Sequence, residues 1–581
     1  MKCNSFRIFE KHKSKILKMR NIFLLFLVTL FYPIAGQNTL FIPDTLSGNT
    51  FNLTIQNGTV NFYGTATNTM GINGNILAPT LILHKGDSVN LAVNNQIMDT
   101  TTIHWHGLHV AAMNDGGPHT TIPPGTVWTP GFQVRDQAST YWYHPHLHMH
   151  TNEHVINGIA GMIIVRDSNE ASLALPRTYG VDDIPMVIQT KAFNANKQFL
   201  YTSALDTAVM VNATIDPIVN LPAQVVRLRL LNGASERVLE IGFTNNQTFY
   251  MIGSDGGLLN SPVNLTRLRL APGERAEILL NLSGQSGNLS MFSFASELPN
   301  ATYGAAQPGM GPGQTIPNYS LNPLNGNNFE IIKINIVSAT ANAITTIPSS
   351  LITNTPIQGA VNTTRTLTFS PMNMGPTAIQ GPFLINNSSF DMNVINYSIP
   401  LDNIETWTLT NNSPIAHPFH IHDVQFYIQS YAGGNPPAHL AGRKDVVLVP
   451  AMQSVTFKAK FETFCDDMMP YMYHCHMLPH EDDGMMGQFV VACPTVGVNS
   501  NENENFKIYP NPSSETIYIE TKDSQNFEAY SIQDLSGKEI RKGKLNASKT
   551  LIEVKEIEKG IYFLKIITHS SNAIIRKISI D

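Results

Sequence analysis

The feature that most restricts how this chain can fold is the placement of its histidines. Ten of 19 fall into four short clusters, two toward each end of the main body. They are His104-Trp105-His106, His144-Pro145-His146, His417-Pro418-Phe419-His420-Ile421-His422, and His474-Cys475-His476-Met477-Leu478-Pro479-His480, with Met485 shortly after the last. Alternate side chains of an extended strand share a face, so a His-x-His pair presents two imidazoles to one cavity. His104 with His106, His144 with His146, His420 with His422, and His474 with His476 supply eight imidazoles. That is too many for one ion of coordination number four or five, so several adjacent metals are implied. One such pair alone is weak evidence, because histidine is a common polar strand residue. Four pairs together with the string from His474 to Met485 are strong evidence.

Cys475 lies between His474 and His476 and points to the opposite face of an extended segment. There it can join His417, His480 and Met485. Two imidazoles, a thiolate and a thioether form the ligand set of a blue copper site with a weak axial methionine, and the thiolate selects against hard ions. One peptide segment therefore bridges two metal centres. An electron taken up at the copper on Cys475 has a short path through the backbone to His474 or His476.

The 581 residues exceed what one hydrophobic core can organise, and several domains are expected. The 40 glycines and 35 prolines lie mostly between short runs rich in Val, Ile, Leu, Thr and Phe, such as Thr80 to His84, Ser88 to Val93, Gly161 to Val165, Gln224 to Leu231, Ala276 to Leu282 and Thr366 to Ser370. This pattern predicts an all-β, sandwich-like protein. Breaks near Pro176 to Pro185 and Ala339 to Pro356 divide the body into expected domains at 37–170, 171–350 and 351–494.

Residues 501–581 hold 24 of the chain's 80 charged residues and form a separate module. The polar stretch 495–504 reads as its linker, and 505–581 as a small β-sandwich. Without this tail and the first 36 residues, the body carries a formal charge of −12. That argues against nucleic acid as a partner and suits attraction of metal cations.

Near the N-terminus, Lys11, Lys13, Lys15, Lys18 and Arg20 precede an apolar run from Ile22 to Ile34 that ends in Ala35 and Gly36. Residues 1–36 thus read as a secretory signal, with Met19 an alternative start. The run is shorter than the ~20 residues a bilayer crossing needs, and no stable membrane span is expected. Three cysteines remain after such a signal is removed: Cys475 among the histidines, and Cys465 and Cys493, which are either a disulfide or two buried thiols.

The four clusters resemble the copper motifs of the multicopper oxidases, a family that includes laccases, bilirubin oxidases and bacterial copper-efflux oxidases. The resemblance spans roughly residues 40–494. It extends to Asp115-Gly116-Gly117-Pro118, to Tyr179-Gly180-Val181-Asp182-Asp183-Ile184-Pro185, and to His480-Glu481-Asp482-Asp483-Gly484-Met485-Met486. It implies three cupredoxin-like Greek-key β-sandwich domains with copper in the third and between the first and third. It also implies four copper ions. His417, Cys475, His480 and Met485 would hold type 1 copper, and His104 with His420 would hold type 2. His106, His144 and His476 would hold one type 3 copper, and His146, His422 and His474 the other. The second domain has no such pair and is expected to be a spacer and scaffold.

The implied reaction is one-electron oxidation of a reducing substrate coupled to four-electron reduction of O2 to water. Asp115 and Glu481 match acidic positions that deliver protons in the family. Phenols or aromatic amines, as for laccases, are the leading substrates, and cuprous or manganous ions the alternative. The long methionine-rich insertion of copper-efflux oxidases is absent, and Met310, Met372, Met374, Met468 and Met469 are scattered. His148, His150 and His154 read as a solvated loop ahead of an extra copper site. A family member without copper would have lost ligands, whereas all twelve positions are filled here. The tail, with Asn505-Phe506-Lys507-Ile508-Tyr509-Pro510-Asn511-Pro512 and Gly560-Ile561-Tyr562-Phe563-Leu564-Lys565-Ile566, resembles the C-terminal sorting domain of the type IX secretion system. Its secretion machinery would be the partner, and the destination the cell surface or medium.

Overall fold

The computed structural model describes residues 38–311, 313–494, 506–521, 527–534, 537–545, 548–568 and 573–581. The expected signal at 1–36 and the linker at 495–504 lie outside these residues. Each strand-like run read from the sequence is a strand, and the protein is all-β. Alternation is the cause: Ser88–Asn95 and Ser454–Lys460 bury every second residue, as a half-buried strand must.

The chain divides into two compact units, 1–492 and 493–581. In the larger unit, Thr45–Ser47, Thr80–His84, Gly161–Arg166 and Ser139–Tyr143 form one sheet, and Thr65–Ile72, Thr50–Phe62 and Ser88–Asn95 belong to another. Between them lies a core that includes Trp105, Tyr141 and Tyr143. A 6-stranded and an 8-stranded sheet enclose the second core, around Leu228, Leu230, Ile241 and Ile278. The first described strand, Asn38–Thr39, extends the edge of the 6-stranded sheet by pairing with Pro217 and Ile218. Two 5-stranded sheets enclose the third core, which holds Trp407, Phe419, Phe457, Tyr473, Cys475 and Met485.

In the smaller unit, a 3-stranded and a 4-stranded sheet surround Ile517, Ile519, Leu564, Ile566 and Ile578. Among the described residues, no helix is long and apolar enough to cross a membrane.

Candidate metal centre

Two strand pairings place the motifs. In the third sandwich, His417–Ile421 runs antiparallel to Tyr471–Cys475, with Phe419 opposite Cys475 and His420 opposite His474. The two-residue period then sorts the side chains. His417, Phe419, Tyr473 and Cys475 turn to the third core, and His420, His422, His474 and His476 turn the other way. In the first sandwich, His104 and His144 pair through two backbone hydrogen bonds of 2.8 and 3.2 Å. Trp105, between its two histidines, is buried in the first core and stacks on Trp128.

The imidazoles from the two ends of the body meet. His104 stacks on His422 at 3.9 Å between ring centroids, and His106 on His420 at 3.7 Å. The ring nitrogens of His106, His144 and His476 lie within 4.8 Å of one another, as do those of His146, His422 and His474, and those of His104, His420 and His422. His146 Nε2 is 3.0 Å from His474 Nε2 and 3.2 Å from His422 Nε2. The first two groups hold the same residues as the two type 3 trios that the resemblance implies, and the third adds His422 to the implied pair of His104 and His420.

The outward nitrogens are held by protein oxygens. His104 Nδ1 lies 2.9 Å from the Asp115 carbonyl, His144 Nδ1 2.8 Å from that of Pro145, His420 Nδ1 2.9 Å from that of Asp445, and His474 Nδ1 3.0 Å from that of Cys475. Such contacts fix a ring's tautomer and direct its other nitrogen's lone pair inward. The buried Nε2 atoms of His104 and His420, and both nitrogens of His476, have no protein partner. Buried polar atoms are otherwise nearly always paired. Several orphaned imidazole nitrogens converging on one space therefore fit bound metal.

On the opposite face, Cys475 Sγ is 3.5 Å from His417 Nδ1 and 3.7 Å from His480 Nδ1, and Met485 is fully buried in the same core. The Cys475 amide donates to the Met485 carbonyl at 3.0 Å, so the two residues are adjacent. Burial pushes the Cys475 thiol well above its usual range and lowers His480 to about 3. Among the described residues Cys475 is the free cysteine, and Cys465 and Cys493 are each disulfide-bonded.

Asp115 and Glu481 are both buried against this histidine group. Asp115 Oδ2 is 2.7 Å from His422 Nδ1, and Glu481 lies 3.1 Å from His474 Nδ1 and 3.3 Å from His146 Nδ1. Burial works to raise the Glu481 carboxyl, but the pull of His146, His474 and His476 outweighs it and holds the group well below the usual carboxylate range.

Among the described residues, the remaining histidines join no further metal-competent grouping. His154 is buried in the short helix Thr151–Asn157 with Nδ1 3.1 Å from Thr101 Oγ1, and His150 is exposed beside Glu153. Neither they nor His148 fall in any metal-competent grouping among the described residues.

Two neighbours escaped sequence reasoning. Ser413 Oγ lies 2.8 Å from His417 Nε2, and Asp445 Oδ1 lies 3.1 Å from His106 Nε2. Neither belongs to a motif. A lone serine or aspartate carries no signal until the fold brings it to a histidine.

Family models described as multicopper oxidase match residues 54–170, 167–307 and 355–494, and one described as a secretion system C-terminal sorting domain matches 507–581. Multicopper oxidase mco of Staphylococcus haemolyticus is 33% identical over 475 residues, covering 79% of this chain and 93% of that protein. Cell division protein FtsP of Sodalis glossinidius is 31% identical over 448 residues, covering 74% and 86%. Among solved structures, the laccase-like multicopper oxidase CueO of Ochrobactrum sp., with oxidase activity towards lignin model compounds, superposes with a TM-score of 0.68 at 30% identity, covering 78% of this chain and 100% of that one. With its buried histidine and cysteine groups and matches across all three sandwiches, the chain belongs to the multicopper oxidase family and carries a C-terminal secretion sorting domain.

Proposed function

We propose that the protein is a four-copper oxidase that takes single electrons from a small reductant and uses four of them to reduce O2 to two waters. The observation that carries this reading is the strand Tyr471–Cys475. Its buried thiol faces His417 and His480, while His474 and His476 on either side face the eight-imidazole group. His417, Cys475, His480 and Met485 would hold type 1 copper. His104 and His420 would hold type 2. The trios His106, His144, His476 and His146, His422, His474 would hold the type 3 pair. Bound copper supplies reversible one-electron redox chemistry at the first site and O2 reduction at the second.

The rest is the work of the chain. Among the first-site residues named, His480 is the most exposed at 8%, which makes its ring edge the side nearest an external reductant. Cys475 and the adjoining backbone link that side to His474 and His476. The reaction also consumes four protons, and Asp115 and Glu481 touch the imidazoles where those protons are needed. Replacing Glu481 by Gln should lower O2 turnover per bound copper by about a hundredfold, the lower range for losing a positioned acid–base group. Full turnover in that variant would remove Glu481 from the proton path.

Met485→Leu should raise the first-site reduction potential, because losing a thioether donor disfavours the cupric state. The swap nearly conserves volume, so packing should change little. Redox titration checks it, and an unchanged or lower potential contradicts the assignment.

Phenols and aromatic amines are the leading reductants, in line with the laccase-like structural relative. A second reading, cuprous-ion oxidation, draws on one observation. Met310, Met374 and Met452 line a largely apolar pocket of about 510 Å3 with Asn412 and Pro414, the residues flanking Ser413. Thioethers favour cuprous ion. O2 uptake by one copper-loaded sample with a phenol, a bilin, cuprous ion and manganous ion ranks these substrates. Activity with none of them contradicts the oxidase reading.

A further inference from the structure

Among the eight imidazoles, His106 is oriented differently. His104, His144, His420, His422 and His474 each set Nδ1 against a protein oxygen and leave Nε2 for the shared space. His106 does the reverse. Its Nε2 lies 3.1 Å from Asp445 Oδ1, and its Nδ1 faces His144 Nε2 at 3.3 Å. Nδ1 sits close to the backbone, where a neighbouring carbonyl can hold it. Nε2 reaches farther out, so an inverted ring needs a partner brought from elsewhere.

That partner is itself held from the second sandwich, the one that supplies no candidate ligand. Arg275 is fully buried and grips Asp445 with both arms of its guanidinium, Nη1 to Oδ1 at 2.6 Å and Nη2 to Oδ2 at 2.5 Å. The guanidinium is locked in turn by the carbonyls of Gly273, Asp255 and Thr140, at 3.0, 3.1 and 3.2 Å. The approach is close enough to require glycine beside it. Gly107 has φ +87°, and a Cβ there would fall 2.4 Å from Asp445 Oδ2 and 2.6 Å from Arg275 Nη2.

We propose that Arg275 and Asp445 are positioning residues of the histidine group: Arg275 fixes the Asp445 carboxylate, and Asp445 holds the His106 ring with Nδ1 turned inward as its copper-binding atom. This rests on the reading of the eight imidazoles as copper ligands. The second sandwich is then more than the spacer expected from the sequence, since it sets the orientation of a ligand in the first. A planar two-armed fork makes both contacts to one carboxylate, and a lysine ammonium does not reproduce them.

The test uses full-length, copper-loaded protein with Arg275→Met, Arg275→Lys and Asp445→Asn, dialysed against increasing chelator. Copper per chain is read together with the blue absorption of the thiolate site and the near-ultraviolet absorption of the coupled copper pair. Losing an outer partner of a metal-bound histidine weakens affinity by about 10- to 100-fold. Arg275→Met and Asp445→Asn should therefore release copper from the histidine group at chelator concentrations lower by that factor and lose the coupled-pair band, with the blue band intact. Arg275→Lys, which keeps the buried charge and guards against misfolding, should fall between them and wild type. Wild-type retention in the Lys variant, or parallel loss of both bands in every variant, would overturn the proposal. Wild-type protein that holds only the thiolate-site copper would instead overturn the ligand reading beneath it.

Discussion

Cys475→Ser protein should be colourless in its oxidised form and its turnover should fall to background, while copper bound by the eight imidazoles stays in place. The thiol lies 1% exposed between His417 and His480, and burial alone would keep it protonated. A bound cation reverses that balance by stabilising the thiolate. A serine hydroxyl in the same position is a harder donor and far harder to ionise, so both the soft ligand and the charge-transfer colour are lost. The substitution removes little volume, and the surrounding core of Phe419, Tyr473 and Phe489 can persist. The eight imidazoles project from the opposite face of the strands and need no thiolate. Absorption spectra and copper per chain check the outcome. Retained blue colour would exclude Cys475 as the ligand.

Deleting residues 505–581 should leave an enzyme that folds, binds copper and oxidises substrate, but that stays within the cell envelope and does not reach the surface or medium. The sorting-domain match at 507–581 motivates the change in destination. The tail's own packing motivates the intact activity. The tail forms its own compact unit with its own core around Ile519, Leu564 and Ile578, and every proposed ligand lies between His104 and Met485. Cells expressing full-length and truncated forms are fractionated and oxidase activity is measured in each fraction. Equal release of both forms removes the sorting role. Copper-poor or aggregated truncated protein shows that the tail supports the catalytic unit.

Much of the centre was legible because its chemistry is local. A two-residue spacing on a strand determines which way each imidazole turns, so His420 and His474 could be separated from His417 and Cys475 before any pairing was known. The strands themselves were legible from alternation, as in Ser88–Asn95. Arg275 and Asp445 were not. They are 170 positions apart, lie in runs that read as ordinary strand and turn, and gain meaning only when three sandwiches meet. The pocket shared by Met310, Met374 and Met452 was hidden for the same reason, since scattered methionines are most often core filling.

Whether four coppers work as one four-electron device is decided by stoichiometry. Full-length protein loaded with copper and washed free of excess is assayed for metal per chain. It is then given a limiting amount of one-electron reductant while O2 uptake and peroxide are followed. Four coppers per chain, four electrons consumed per O2 and no released peroxide are expected. Two electrons per O2 with peroxide accumulating, or a single copper per chain, would contradict the four-copper reading.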